Sequence, residues 1–189
     1  MILLNILLET NHIIEFFGRF HPLVVHLPIG ILLLAFLFEW LSRKPQYAFL
    51  QEATELTFFW GTITAIVSCI PGYMLSLSGG YDETTLWQHK WLGIGVAVIS
   101  GLLWLFKKFS LPAIFQQITT GLGAIMLAVT GHLGGSLTHG ADYLTQPLAA
   151  AFGDEATGGK FERKPIANVE EALAYQDVVQ PILAEKCYQ

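Results

Sequence analysis

Four long stretches of the chain are almost wholly apolar or small, and short polar segments separate them. They run over about 22–41, 56–77, 87–106 and 111–131. Each is close to the ~20 residues that a helix needs to cross the hydrocarbon core of a bilayer. No water satisfies backbone groups in that core, so helices are the expected way across. Pro28, Pro71, Gly93, Gly121 and Gly123 fall inside the stretches. Membrane helices tolerate both residue types, and small residues permit close packing. The pattern predicts an all-α fold, a polytopic membrane four-helix bundle over residues 18–140.

The flanks read differently. Residues 1–17 are apolar but break at Asn5 and Glu9, and are too short to span. No Lys or Arg precedes them, as one would in a secretory signal. They are expected to form an interfacial helix, with Ile6, Leu7, Ile13, Phe16 and Phe17 among its apolar residues. From residue 141 the composition turns polar and rich in Gly and Ala. Residues 141–170 read as an extracytoplasmic linker, and 171–189 as helix formers with Pro181 at a boundary. No internal repeat or low-complexity tract is visible.

Composition agrees with the pattern. Of 189 residues, 53% are hydrophobic and 13% charged, with a mean hydropathy of +0.51 and a net charge of -5. That is too apolar for an ordinary soluble domain, and no basic block could track nucleic-acid phosphates. Charge also suggests orientation. The loops after the first and third stretches carry Arg43, Lys44, Lys107 and Lys108, whereas the loop after the second carries Asp82 and Glu83. The positive-inside rule then puts the basic loops in the cytoplasm and both termini outside. A multi-pass protein of a bacterial inner membrane, with periplasmic termini, is expected. Trp40, Trp87 and Trp91 sit near span ends, as interfacial aromatics do.

On this topology five of the six histidines, His21, His26, His89, His132 and His139, gather at or beyond the extracytoplasmic ends of the spans. The sixth, His12, precedes them on the same side. Ionisable residues inside spans are costly and usually face the bundle interior with a purpose. Counting from the basic residues, Arg43 to His26 is 17 positions and Lys107 to His89 is 18. These two histidines are therefore expected at equal depth. His21 and His132 form a shallower layer. Neutral imidazole suits haem iron, copper or zinc. His26 and His89 are the preferred axial pair for a b-type haem, with His21 and His132 in reserve and His139 beyond them. Arg19 and Lys90 are candidate partners for haem propionates. Cys69 stands alone in the second span and reads as a small core residue.

The chain closes on PILAEKCYQ. The c-type haem attachment sequence is C-x-x-C-H, and Cys187, Tyr188 and Gln189 supply its first three positions. A haem c domain beginning near residue 171 and continuing past Gln189 is expected from this. The bland alternative is a free thiol or a disulfide partner.

Three segments carry a family resemblance: HPLVVHLPIG, the stretch around His89, and TGHLGGSLTHGADYL. Over about residues 16–145 the chain resembles an uncharacterised bacterial four-helix membrane domain that opens on HPxxVHxPI. His21, Pro22, Val25, His26, Pro28 and Ile29 match that opening, and Gly134, Gly135 and His139 match the end of its fourth helix. The resemblance implies a membrane module associated with redox proteins, placed before a planctomycete-type cytochrome c domain. It does not imply haem in the bundle itself.

Three functions are consistent with these residues. The first is a membrane-anchored electron carrier, non-enzymatic, serving redox partner proteins or a respiratory complex. The second is a structural anchor or assembly subunit without its own cofactor. The third is a copper or zinc site, although Met1, Met74 and Met126 make no copper-binding motif.

Overall fold

The computed structural model describes residues 12–152, together with 175, 179 and 180. Residues 12–18 are helical and lead through a turn into α1 (His21–Val24). Pro22 stands in the first turn of α1, where a missing N–H costs nothing. A turn at Val25 separates α1 from α2 (His26–Leu41). Pro28 has no N–H to offer the Val24 carbonyl, so regular bonding cannot run unbroken through this point. A 3₁₀ turn (Pro45–Tyr47) then leads to α3 (Leu50–Ser76), α4 (Glu83–Lys108) and α5 (Ala113–His139).

The stretch His12–Leu41 and the three long helices are each long and apolar enough to cross a membrane. At ~1.5 Å per residue, α3, α4 and α5 each measure about 40 Å, more than the ~30 Å hydrocarbon core. They accordingly exceed the predicted spans. Helix α3 starts at Leu50 rather than near 56, because Gln51, Glu52 and Glu55 favour helix although they are too polar for the core. Helix α5 continues to His139 rather than stopping near 131. It ends at Gly140, whose φ of 93° lies in the left-handed region that favours glycine. Asp82 caps α4, accepting from the Thr85 N–H at 2.8 Å and the Thr85 hydroxyl at 2.7 Å. These bonds hold its carboxyl below the usual carboxylate range.

Each long helix packs on the next, and α5 returns to α2, so the four close into a bundle. Short connections make successive helices antiparallel. One end of the bundle therefore gathers α1, the start of α4 and the end of α5. The other gathers Glu39, Arg43 and Lys107. We call these the histidine end and the basic end.

Leu32 and Ala35 of α2, Phe58 of α3, Val96 and Leu103 of α4 and Leu127 of α5 form the core. Gly61 lies against Leu32, and Gly123 against Ile99 and Phe36, where a Cβ would collide. Close approach of this kind drives association where lipid competes equally for apolar side chains. Buried hydroxyls on Thr54, Thr62, Ser68, Ser100 and Thr120 donate to carbonyls of their own helices, so none is left unsatisfied. The outer faces expose Leu33, Leu37, Ile66, Val98, Ile118 and Ile125, an apolar belt suited to lipid.

A second compact unit begins at Asp142. Its α6 (Thr145–Ala151) lies within the stretch read as a linker, and the Gln146 N–H donates to the Asp142 carbonyl at 2.8 Å. Most of the expected interfacial segment lies outside the described residues. So do the later part of the linker and the cytochrome start with Cys187.

Candidate functional site

The structure brings His21, not His26, against His89. The two rings stand with centroids 6.2 Å apart and planes at 78°. Both side chains are half-buried. They reach each other from α1 and α4, which are not sequence neighbours in the bundle.

Each ring is held from an adjacent helix. The His21 Nδ1–H donates to the Ser68 carbonyl of α3 at 3.0 Å. The His89 Nδ1–H donates to the Thr130 carbonyl of α5 at 3.0 Å. A carbonyl can only accept, so each Nδ1 carries the proton and each Nε2 of the neutral ring keeps its lone pair. A metal-ligating histidine is commonly oriented in this way, with one nitrogen bound to a carbonyl and the other available.

Glycines make these positions possible. A Cβ on Gly72 would lie 2.8 Å from His21 Cε1 and 2.9 Å from its Nδ1. A Cβ on Gly134 would lie 3.0 Å from His89 Cε1. Each imidazole thus lies on the bare backbone one turn beyond the carbonyl that anchors it. Gly18 plays a related part. It is buried against the Leu75 backbone of α3, where a Cβ would come within 2.7 Å of the Leu75 nitrogen. That contact docks residues 12–18 and fixes where His21 enters.

The other candidates lie apart from this pair. His26 is exposed and turns its Nδ1 back to the Pro22 carbonyl at 2.5 Å. His132 is exposed on α5, and His139 lies exposed at the last turn, with Nδ1 2.7 Å from the Thr138 hydroxyl. Arg19 is exposed and paired with Glu15 at 2.6 Å. Lys90 lies over the Tyr73 ring, 4.6 Å from its centroid, and ties α4 to α3 beside the histidines. Among the described residues no group of three or more His, Cys, Asp or Glu side chains is placed to hold a metal ion.

A second polar constellation occupies the basic end. The Glu39 side chain is only 5% exposed, and its carboxylate meets the Lys107 ammonium and the Arg43 guanidinium, the latter at 3.5 Å. Glu39 is an acid inside the first apolar stretch, and nothing in its sequence neighbourhood marks Lys107 as its partner. It lies on the wall of a cleft of ≈ 640 Å³ that also involves Arg43, Glu52, Glu55, Lys107 and Gln116.

Comparison with curated proteins and with solved structures gives no match. Comparison with family models matches residues 19–146 to the family described as Predicted membrane protein (DUF2231). That match covers more than half of the chain and includes His21, His89 and the residues that hold them. The chain therefore belongs to this family of membrane proteins.

Proposed function

We propose that the chain is a membrane electron-transfer module that holds a b-type haem between His21 and His89. The observation that carries this reading is the facing pair itself, two imidazoles anchored through Nδ1 with Nε2 left as donor. Their 6.2 Å separation brings two imidazole donors from different helices within reach of one shared group.

The donor set favours haem over zinc or copper. A closed zinc site wants four protein ligands. Here His21 and His89 supply two imidazoles, which is what haem would need from the protein. Bound there, haem would supply one-electron chemistry. The chain's own part is to fix the two nitrogens, to exclude water with the surrounding helices and to set the tautomer. Lys90 and Arg19 remain the candidate cations for acidic haem substituents at that end. We further propose that the histidine end faces the periplasm of a bacterial inner membrane. Electrons would then pass to or from a c-type haem domain that starts near Cys187, or to partner subunits of a respiratory complex.

One observation favours the cofactor-free anchor. Both histidines already have a hydrogen-bond partner, which is what a purely structural imidazole needs. The two readings separate in one experiment. Residues 1–189, purified from a haem-replete host, are expected to carry stoichiometric haem with a b-type reduced α-band. They lack a complete c-type motif, so that signal must arise from the bundle. A folded, colourless protein that also fails to take up added haemin would overturn the haem reading and leave the anchor.

A further inference from the structure

We infer that the bundle is one helix pair used twice, and that the histidine site belongs equally to both copies. Each copy supplies an imidazole from its first helix, and the carbonyl and glycine that hold it from its second. The first copy comprises α1–α2 with α3, and the second comprises α4 with α5. Gly72 and Gly134 are then equivalent positioning residues.

The equivalence rests on two separations fixed by the site and tested elsewhere. His21 and His89 are 68 positions apart. The buried residues of α2 are Pro28, Leu32, Ala35 and Glu39. Moving 68 positions along from each gives Val96, Ser100, Leu103 and Lys107. The first three are buried in α4, and Lys107 is the partner of Glu39. Residues at equivalent places therefore meet each other at both ends, His21 with His89 and Glu39 with Lys107.

The second helices obey their own separation. The carbonyls of Ser68 and Thr130 are 62 positions apart, and so are Gly72 and Gly134. The buried residues of α5 are Thr120, Gly123 and Leu127. Moving back 62 positions gives Phe58, Gly61 and Ala65, all buried in α3. Gly61 and Gly123 even share a task, since each admits an apolar side chain of the first helix in its own copy, Leu32 and Ile99 respectively. The two separations differ by six: the connection is four residues shorter in the second copy, 109–112 against 42–49, and each adjoining helix end is one residue shorter.

Parallel repeats of this kind are related by an axis along the membrane normal, with binding sites at the repeat interface. Whatever the site holds meets two equivalent nitrogens related by that axis. The unequal pair at the other end, an acid in one copy and a base in the other, makes the copies complementary to each other rather than to themselves.

The consequence for the site rests on the histidine reading above, but its test needs no cofactor. Haem-free full chain labelled with [15N]histidine is examined by nitrogen-detected magnetic resonance, with His21→Gln and His89→Gln giving the assignments. Both rings are expected as the Nδ1–H form. Gly72→Ala is expected to abolish that signature for His21 alone, and Gly134→Ala for His89 alone. Gly121→Ala, whose added Cβ meets nothing within 4 Å, leaves both intact. A wild-type spectrum, assigned through the two Gln variants, with either ring protonated at Nε2 overturns the proposal, and needs neither glycine variant to fold. So does a folded Gly72→Ala or Gly134→Ala protein whose two rings are unchanged. Failure to load haem leaves this result standing, and the reverse also holds.

Discussion

Replacing Lys107 by Met removes the main partner of a carboxylate that has nowhere else to go. Glu39 has a side chain 5% exposed, and Lys107 one 15% exposed, so water reaches neither freely. Breaking a buried pair by deleting one member typically costs 3–5 kcal/mol. Arg43 stays 3.5 Å away, but its side chain is 37% exposed. At that distance two unit charges attract by about 1 kcal/mol in water. It offsets part of the loss, so the low end, about 3 kcal/mol, is the expected cost of Lys107→Met. That corresponds to roughly a hundredfold in the unfolding equilibrium. Arg43→Met should cost below about 1 kcal/mol, as an exposed partner does. Glu39→Gln together with Lys107→Met should recover most of the stability, because no uncompensated charge remains. Reversible unfolding in bicelles, read as a double-mutant cycle, measures all of these. If Lys107→Met costs under about 1 kcal/mol and the cycle is additive, the pair is not the buried clamp argued here.

Other outcomes follow from the same contacts. His21→Ala and His89→Ala should each abolish the b-type low-spin spectrum, while His26→Ala and His12→Ala keep it; a spectrum lost in His26→Ala and His89→Ala but kept in His21→Ala would return the site to the pair first suggested by depth. The Asp82 cap should depend on pH with a definite sign. Its carboxyl is held below the usual carboxylate range, so its contribution is present above the unfolded value of about 3.9 and fades as pH falls through the lower folded one. Measured against the intrinsic exchange rate, protection of the Thr85 and Leu86 amides should fall on acidification in the wild type and lose that dependence in Asp82→Asn. Topology is open to thiol labelling: with Cys69 and Cys187 removed, Ser78→Cys should react with an impermeant reagent from the periplasm, and Ser110→Cys only after the membrane is opened.

The four helices were legible because their apolar stretches match a physical length, and the clustering of histidines at one end follows from alternating direction alone. The pairing of His21 with His89 was not legible, and the reason is specific. Depth was counted from Arg43 and Lys107 as though they stood level. Lys107 instead meets Glu39, one turn deeper on its helix than Arg43. Counting from that pair, His21 and His89 are each 18 positions away. The repeat was invisible for a different reason. At equivalent buried places the residues differ, Leu32 with Ser100, Ala35 with Leu103, Phe58 with Thr120. What the copies keep is a handful of positions, His21 and His89, Gly61 and Gly123, Gly72 and Gly134, where geometry rather than apolarity is required. Carbonyl anchors such as those of Ser68 and Thr130 leave no trace in residue type at all.

The two clamps, one between α1 and α4 and the other between α2 and α4, also bear on how the bundle meets a bilayer of changing thickness. Eighteen positions span about 27 Å, so the histidine contact and the Glu39–Lys107 pair pin α1–α2 and α4 at points almost a hydrocarbon core apart. Neither helix can slide along the other by a turn without breaking both. Mismatch is then taken up by tilting the bundle as one body or by deforming the lipid around it. Across membranes of different thickness, the setting between the two imidazoles should stay constant while the surrounding lipid adapts.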